Sequence, residues 1–590
     1  MFSPIEISQI LKSLIFGLRF DLAVASTIAL ISLFFSNSLR YMSLMSASLI
    51  SALLLLQLGD LLYFAESARH ISYEIVNISG DSKALFLTAL SQHTAFIIIA
   101  ILASIRLWFL LRSIFMKILT PIPIDIYYPF YLLILIIISI FFIRGMFAHI
   151  PLNPWQSSQI GNEKLATIAL NGSYSALYAL ANSNKTISNR FTTEPNNATD
   201  TLLEIYKNSS DYNYKPLKRN IVIVFLESWS ATHMKPYGSR VSATPFFDSL
   251  LDRSLRPLGA IAGGHRTTEG LFATLVSAQN PLGRSVAKTP LQEHNYHSLV
   301  EILNSNGYSS AFFQGTAKET SGTGAFVQSL GFAQSFGKED IKTREFKENS
   351  WGVHDLDLYR FVLSKTDTLK EPFILGINNA STHDIELPDG IVAQKFDSDK
   401  MLNARLNILH FSDAALKQFV EQILKRYSDT LFVFVADHCG GGINSNFLNY
   451  LVPLSFYGKN ITPRLIDEFV SQRDIAPTII DLTLGDYRLI APNFSGKSLL
   501  RDSNFTADYY HNGIHGWVRD KKTVEFNNNS TNCYDVSEFQ PKAIKCDRGL
   551  LEYKNEYNAY TFISQKLLFD NSLDQFSRYR DEPQEEHTKE

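Results

Sequence analysis

The sequence predicts a chain of two unlike parts, an N-terminal transmembrane α-helical domain and a following α/β domain. Four uncharged apolar stretches occur within the first 150 residues, at residues 22–39, 41–59, 84–105 and 126–143, and about 20 apolar residues suffice to cross a bilayer as a helix. After residue 218, apolar runs of strand length alternate with helical patterns, as in a parallel sheet flanked by helices. A net charge of -3 without a basic cluster argues against nucleic-acid binding.

The orientation of the membrane domain follows from its basic residues. Arg40, Arg112 and Lys117 lie in the two loops that the positive-inside rule places in the cytoplasm. The chain beyond the fourth span then faces outward, and so does the N-terminus. Lys12 conflicts with this orientation, so either residues 10–16 re-enter the membrane or an earlier span precedes this sequence.

Three further regions are predicted after the membrane domain of residues 1–150. Residues 151–217 are rich in Asn, Ser and Thr and predict a linker with a juxtamembrane helix near residues 166–180. Residues 218–500 carry the alternating pattern and predict the α/β domain. Residues 501–590 predict a C-terminal extension with a small β unit and a loose end from residue 565.

Acidic residues and a histidine follow two predicted strands. Residues 220–226 are an unbroken β-branched run that ends at Glu227, and residues 430–436 end at Asp437-His438. The carboxyl ends of parallel strands meet at one edge of a sheet, where ligands bind. Carboxylates and imidazole are ligands for a divalent cation such as Mn, Mg or Zn. A helix cap is the alternative for either carboxylate taken singly.

A glycine-rich loop with two threonines lies between these strands in the sequence. Residues 263–270 read Gly-Gly-His-Arg-Thr-Thr-Glu-Gly and precede a helical pattern. Glycines allow a ligand to approach the backbone, the helix N-terminus offers amide donors to an anion, and a cation can activate a threonine hydroxyl as a nucleophile. Thr267 and Thr268 are both candidates for this nucleophile, and capping of the helix is the alternative.

A series of short motifs in the polar part resembles a known family. They are residues 220–228, Thr244-Pro245-Phe246-Phe247-Asp248-Ser249-Leu250, Arg266-Thr267-Thr268-Glu269-Gly270, Trp351-Gly352-Val353-His354-Asp355, Ser381-Thr382-His383, Ala436-Asp437-His438 and Asp474-Ile475-Ala476-Pro477-Thr478. In this order they resemble membrane-anchored enzymes of the sulfatase superfamily, and most of all lipoteichoic acid synthase and related phosphoglycerol transferases. The resemblance implies an alkaline-phosphatase-like α/β fold.

The resemblance also implies roles for individual residues. The family's metal ligands match Glu227, Thr267, Asp437 and His438, with manganese as the expected ion and magnesium or zinc as alternatives. Thr267 also matches the nucleophile.

The substrate side of the site is implied by the same motifs. His383 matches a histidine that contacts the substrate or leaving group, and with Arg266 it would stabilise charge in the transition state. Trp351 and Asp355 fall in the stretch that lines the headgroup pocket, and His354 between them is a further candidate contact.

The implied function is transfer of phosphoglycerol from a membrane phospholipid to a glycan or polymer hydroxyl through a phosphothreonine intermediate. The expected location is the outer face of a bacterial inner membrane. The alternatives on the same scaffold are phosphoethanolamine transfer and hydrolysis of a phosphodiester or sulfuric ester. Hydrolysis of sulfate esters is disfavoured because no Cys/Ser-x-Pro-x-Arg motif lies near Thr267. A catalytically silent module that binds envelope polymers is the alternative of another class.

The cysteines and the C-terminal histidines leave further alternatives. Cys439 stands where the family usually carries glycine, and a buried inert thiol is favoured over a soft metal ligand. Cys533 and Cys546 flank a loop and could form a disulfide in an oxidising compartment. His511 and His515 could pair at a metal, although an ordinary surface hairpin is favoured.

Overall fold

The computed structural model describes residues 7–581 except 68–69, 72–74, 76–77, 120–125, 147–151, 153, 155–156, 158–162, 182–188, 190, 208–211, 441–444 and 502–503. The chain divides into two compact units with a boundary near residue 185. The helices of the first unit are α1 (Ile7–Leu33), α2 (Leu39–Ser67), α3 (Ile78–Ile118), α4 (Tyr128–Ile143), α5 (Glu163–Ala169) and α6 (Gly172–Ala181).

Three helices in the described residues are long and apolar enough to cross a membrane. They span Ile7–Leu33, Leu39–Ala65 and His93–Ile118. The last is part of α3, which is interrupted at His93 by non-helical backbone angles. The fourth predicted span corresponds to α4, which has 16 residues and is shorter than the roughly 20 that cross a bilayer upright.

The predicted bounds of the first and third spans are wrong, because both helices continue through basic residues. Residues 10–16 lie within α1 and form no separate re-entrant segment. Arg19 is accommodated in the same helix, where its guanidinium carbon lies 3.7 Å from the centre of the Phe16 ring, a cation–π geometry. The third apolar helix likewise continues past Arg106.

The second unit is built on one mixed sheet. Its strands are β1 (Asn220–Leu226), β2 (Leu255–Ile261), β3 (Ser309–Gln314), β4 (Gln334–Phe336), β5 (Phe373–Asn378), β6 (Thr430–Ala436), β7 (Leu451–Val452), β8 (Leu454–Tyr457) and β9 (Arg464–Ser471). The order in the described residues is β4-β3-β5-β1-β6-β8-β2-β7, with β9 paired to β2. The pairs β3–β5, β5–β1 and β1–β6 are parallel, whereas β8 is antiparallel to β6. Every residue of β1 is buried, as expected for a central strand covered on both faces.

Helices flank this sheet. They are α7 (Ala198–Tyr206), α8 (Pro245–Leu251), α9 (Thr267–Val276), α10 (Leu299–Ser305), α11 (Thr323–Ser329), α12 (Asp355–Thr366), α13 (Lys400–Arg426), α14 (Asn446–Tyr450), α15 (Ile475–Thr483) and α16 (Tyr487–Ile490). The longest, α13, begins at a cap in which Asp399 accepts a hydrogen bond from the backbone N–H of Leu402. Its buried residues include Leu416, Phe419 and Ile423, which join the core cluster of the sheet.

The C-terminal region adds a second sheet and a long helix. Its elements are β10 (Ala507–His511), β11 (Ile514–Arg519), β12 (Lys522–Phe526), β13 (Thr531–Asp535), β14 (Lys542–Ile544), α17 (Arg548–Phe569) and α18 (Ser577–Arg580). Strands β11 to β14 pair antiparallel in sequence order. Cys533 and Cys546 form a disulfide. The predicted loose end is wrong for residues 565–581, because Leu568 and Phe576 are fully buried; residues 582–590 lie outside the described residues.

Candidate metal centre and nucleophile

Strand register brings two carboxylates together at the carboxyl edge of the sheet. Leu226 of β1 is opposite Ala436 of β6, so Glu227 and Asp437 leave the sheet at the same level. Both are fully buried, and one ligand atom each from Glu227, Asp437 and His438 lie within 4.8 Å of one another. The structure therefore brings together three of the four predicted metal ligands as a possible binding group.

The ring orientation of His438 suits a metal ligand. Its Nδ1 lies 2.8 Å from the carbonyl oxygen of Cys439, and a carbonyl can only accept, so Nδ1 carries a proton. Its Nε2 faces the carboxylates, 3.3 Å from Oε1 of Glu227 and 3.6 Å from Oδ2 of Asp437. A histidine that donates from one nitrogen to a backbone carbonyl is fixed to present the other to a cation.

The two buried carboxylates of the cluster, Glu227 and Asp437, would be stabilised by a nearby positive charge. Burial alone would raise the pKa of Glu227, but the nearby imidazoles of His383 and His438 hold it well below its usual range. Burial and the charge of Glu227 raise the pKa of Asp437. The Oδ2 atom of Asp437 is buried and has no hydrogen-bond partner among the described residues. Two buried carboxylates, one with an unsatisfied oxygen, and an imidazole fit a divalent cation.

Thr267 is the fourth predicted ligand and lies in the first turn of α9. Its Oγ1 donates to Oε2 of Glu227 at 3.3 Å. Gly270 allows this approach, because a Cβ atom there would lie 2.1 Å from the carbonyl oxygen of Asp437. The hydroxyl of Thr268 instead lies 2.7 Å from that of Ser285. Of the two candidate nucleophiles, Thr267 is therefore the one beside the metal cluster.

Arg266 is tied to its own helix. Its guanidinium pairs with Glu269 at 2.5 Å, and Oε2 of Glu269 accepts the backbone N–H of His265 at 2.7 Å. Gly264 leaves room for this carboxylate, since a Cβ atom there would lie 2.0 Å from Oε2. Arg266 thus helps to shape the loop before Thr267, and its side chain is 24% exposed.

His383 and Trp351 border the cluster. The Nε2 atom of His383 lies 3.3 Å from Oε2 of Glu227, and its ring stacks on Trp351 with centres 4.7 Å apart. Thr382, just before His383, donates its hydroxyl hydrogen bond to the backbone oxygen of Glu227 at 2.5 Å. His383 therefore shares a carboxylate oxygen with Thr267.

Asp355 and His354 lie behind the site and do not form part of the metal cluster. Asp355 is fully buried, and its oxygens accept from the backbone of Ala380 and Ser381 and from the side chains of Asn379 and Ser412. These bonds hold the loop that carries His383. Asp355 thus supports this loop, whereas the sequence predicted that it would contact the substrate.

His354 lies among aromatic rings. It is 3% exposed and makes edge contacts with Phe346 and Phe411. Burial lowers its pKa, which outweighs the opposite effect of Asp355. Its Nδ1 is buried without a hydrogen-bond partner among the described residues, and its contact with substrate stays a prediction.

Several residues around Glu227 were missed by sequence reasoning. Ser228 donates to Oε1 of Glu227 at 2.7 Å and adopts a left-handed backbone with φ 58°. Asn378 donates to Oε2 at 3.3 Å, and Asn379 accepts the backbone N–H of Glu227 at 2.5 Å. The polar pair after β5 was visible in the sequence, but nothing local showed that it would face Glu227.

Cys439 and the C-terminal histidines do not join the metal cluster. Cys439 is buried, its thiol donates to the carbonyl of Leu451 at 3.0 Å, and burial raises its pKa to about 12. His511 lies 2.8 Å from His265, whereas His515 lies 2.8 Å from the hydroxyl of Tyr557. The buried thiol that the sequence favoured agrees with this arrangement. The expected surface hairpin does not, because His511 is 2% exposed.

The sequence of this chain is similar to a known protein family and to several known proteins. The sulfatase family matches residues 219–485. A lipoteichoic acid synthase-like protein, YvgJ, of Bacillus subtilis is 23% identical over 385 residues, which cover 59% of each chain. Phosphoglycerol transferase I of Salmonella paratyphi B is 26% identical over 223 residues, which cover 34% of this chain and 29% of that protein. The chain thus spans less than two thirds of either relative.

A solved structure supports the fold. A protein of the alkaline phosphatase superfamily from Vibrio parahaemolyticus superposes with a TM-score of 0.56 at 22% identity, covering 66% of this chain and 97% of that one. The predicted alkaline-phosphatase-like α/β fold is therefore confirmed. Residues 219–485 of this chain thus match the sulfatase family, and they follow three apolar helices of the described residues in the sequence.

Proposed function

We propose that this chain is a metal-dependent transferase that moves phosphoglycerol from a membrane phospholipid to a hydroxyl of a glycan or polymer. The observation that carries the proposal is the placement of the Thr267 hydroxyl 3.3 Å from Glu227, inside the cluster with Asp437 and His438. Similarity to a lipoteichoic acid synthase-like protein and to a phosphoglycerol transferase favours this chemistry. We assign catalysis to residues 218–500.

The residues divide into a metal-binding group and a substrate-binding group. Glu227, Thr267, Asp437 and His438 would hold the ion, with manganese first and magnesium or zinc as alternatives. When bound, the cation lowers the pKa of a coordinated hydroxyl and offsets charge on phosphoryl oxygens. Trp351 belongs to the substrate group, because its indole N–H is buried and has no hydrogen-bond partner among the described residues.

The reaction proceeds in two displacements at phosphorus. The Thr267 oxygen attacks the phosphodiester, and the bond from phosphorus to the diacylglycerol oxygen breaks. The Thr267 proton passes through Oε2 of Glu227, to which the hydroxyl donates, to His383, and His383 gives a proton to the leaving oxygen. An acceptor hydroxyl then attacks the phosphothreonine, His383 takes its proton, and that proton returns by the same route to the Thr267 oxygen as its bond to phosphorus breaks.

The location follows from the two parts of the chain. Three apolar helices suit a bacterial inner membrane, and they would keep the catalytic domain on the surface that contains its lipid donor. The disulfide between Cys533 and Cys546 favours the outer, oxidising face.

The test is turnover of defined lipids by the purified full chain. With Mn²⁺ and labelled phosphatidylglycerol, we expect diacylglycerol to appear together with a water-soluble labelled product, and a chelator to stop both. Phosphatidylethanolamine in parallel tests the alternative headgroup, and its preferential use would replace phosphoglycerol by phosphoethanolamine in the proposal. Absence of turnover with any of Mn²⁺, Mg²⁺ or Zn²⁺ on either lipid contradicts it.

A further inference from the structure

A buried glutamine joins the loop of the nucleophile to the loop of the metal ligands. Gln472 is fully buried and begins the single 3₁₀ turn Gln472–Asp474 that follows β9. It lies two residues before Asp474, the first residue of the motif 474–478, which has no role in the proposed reaction. Neither its position in sequence nor its residue type marks it as part of the site.

The side chain of Gln472 uses both of its donors and its acceptor. Its oxygen accepts the backbone N–H of Gly263 at 2.7 Å. Its nitrogen donates to the carbonyl oxygen of Ala436 at 2.7 Å and to that of Asp437 at 2.9 Å. One planar amide therefore bridges the two loops.

These bonds fix a distance that the proposed chemistry needs. Gly263 opens the loop that leads to Thr267, and Asp437 is a metal ligand. The same carbonyl of Asp437 packs against Gly270 of α9. The backbone of Asp437 is thus held between the nucleophile helix on one side and Gln472 on the other.

Gln472 is itself held in place. Asp474 accepts the backbone N–H of Ser471 at 2.8 Å and that of Lys497 at 2.7 Å. Arg473 pairs with Asp508 at 2.6 Å in a buried setting. Because these bonds hold the turn 472–474 in place, the side chain of Gln472 has a fixed position between the two loops that it connects.

We propose that Gln472 is a positioning residue that sets the spacing between Thr267 and the metal ligands, and through it both metal affinity and the reactivity of Thr267. The inference deepens the proposed function and rests on it for the role of Thr267. A methionine has similar volume but none of the three hydrogen-bonding groups, so Gln472→Met removes the bridge while filling the same space.

The first measurement is Mn²⁺ binding by the full chain without lipid, followed from the free-ion resonance signal. We expect Gln472→Met to bind Mn²⁺ about 10- to 100-fold more weakly, the usual effect of losing a group that orients metal ligands. Asn220→Leu is the matched control, because Asn220 is 5% exposed and its amide also bonds two partners, Glu371 and Phe373, at the opposite end of β1. It should lower stability and leave the affinity unchanged.

The second measurement is turnover of phosphatidylglycerol at saturating Mn²⁺. Gln472→Met should lower kcat with little change in KM, because His383 and Trp351 on the substrate side do not contact Gln472. If Gln472→Met does not fold, Gln472→Asn, whose shorter amide cannot reach both loops, should show a several-fold loss of affinity.

Two results overturn the inference. One is wild-type Mn²⁺ affinity in Gln472→Met or, failing that, in Gln472→Asn. The other is an equal loss of affinity in Asn220→Leu, which would mean general destabilisation. Because binding is measured without lipid, a wild-type chain that binds Mn²⁺ through a Gln472-dependent site but does not turn over lipid would refute the proposed function and keep the coupling of Gln472 to the metal.

Discussion

Thr267 and Thr268 are adjacent in the chain, but their hydroxyl groups have different partners. Thr267 contacts Glu227, whereas Thr268 contacts Ser285. We predict that Thr267→Ala lowers kcat by roughly a thousand-fold or more, since loss of a nucleophile is among the largest single effects in catalysis. Thr267→Ser should keep part of the activity, and Thr268→Ala should lose at most a few-fold. A large loss in Thr268→Ala alone, measured by diacylglycerol release, contradicts the assignment.

The carboxylate of Asp355 accepts hydrogen bonds from the backbone of the loop that carries His383. An asparagine there turns one acceptor oxygen into a donor facing other donors, so we predict that Asp355→Asn lowers the free energy of unfolding by about 1–3 kcal/mol. It should also lower turnover, because the loop of His383 loses its support. Denaturation and lipid turnover check the two effects.

Asp357 provides the control for Asp355. It is 2% exposed and accepts the backbone N–H groups of Glu345 and Phe346, away from His383. Asp357→Asn should lose similar stability but retain turnover. Equal loss of activity in both variants would remove the specific role given to Asp355.

The residues of the candidate metal cluster were predictable from the sequence, whereas the residues that support them were not. Glu227 and Asp437 each follow an apolar strand, and this pattern is visible in the neighbouring sequence. Asp355 and Gln472 act through contacts with residues distant in sequence, and no periodicity or spacing predicts such contacts.

At the scale of elements, the C-terminal β unit is joined to α17 by His515. Its Nδ1 lies 2.8 Å from the Tyr557 hydroxyl and its ring stacks on Phe526. Burial, with a smaller effect of Lys554, lowers its pKa to about 4, against about 6.5 when unfolded. The unfolded chain therefore takes up a proton between these values and the folded chain does not, so stability is complete above about pH 6.5 and falls as the pH drops toward 4.

The test of this pH dependence is a variant that keeps the ring but cannot take a proton. We predict that the melting temperature of His515→Phe falls less between pH 7.5 and pH 5 than that of the wild type. Parallel thermal unfolding curves at the two pH values measure this difference. Identical declines would show that His515 does not titrate as described.

The disulfide joins β13 to the segment after β14 and closes a loop with a sequence separation of 13. Loops of this size lose about 3 kcal/mol of unfolded-state entropy on crosslinking. We predict that the double variant Cys533→Ser, Cys546→Ser unfolds with a free energy about 2–4 kcal/mol lower and no longer responds to reductant. Cys439→Ala, which removes the buried free thiol, should keep the response of the wild type. An unresponsive wild type contradicts the prediction.

At the scale of the whole molecule, the sequence predicted the division into apolar helices and an α/β domain because the two parts bury their side chains against different surroundings. It misplaced helix bounds where single charges interrupt apolar runs. The predicted first span begins after Asp21, yet the helix begins at Ile7 and includes Arg19, whose guanidinium packs over Phe16. A charge count cannot detect that compensation.

The central claim is that Thr267 becomes covalently attached to the headgroup phosphate of a membrane lipid. The most direct measurement is mass spectrometry of the full chain quenched in acid after brief incubation with phosphatidylglycerol and Mn²⁺. We expect a phosphoglycerol adduct on the peptide that contains Thr267, present in the wild type and absent from Thr267→Ala. An adduct on another residue, or turnover without any adduct in the wild type, would contradict it.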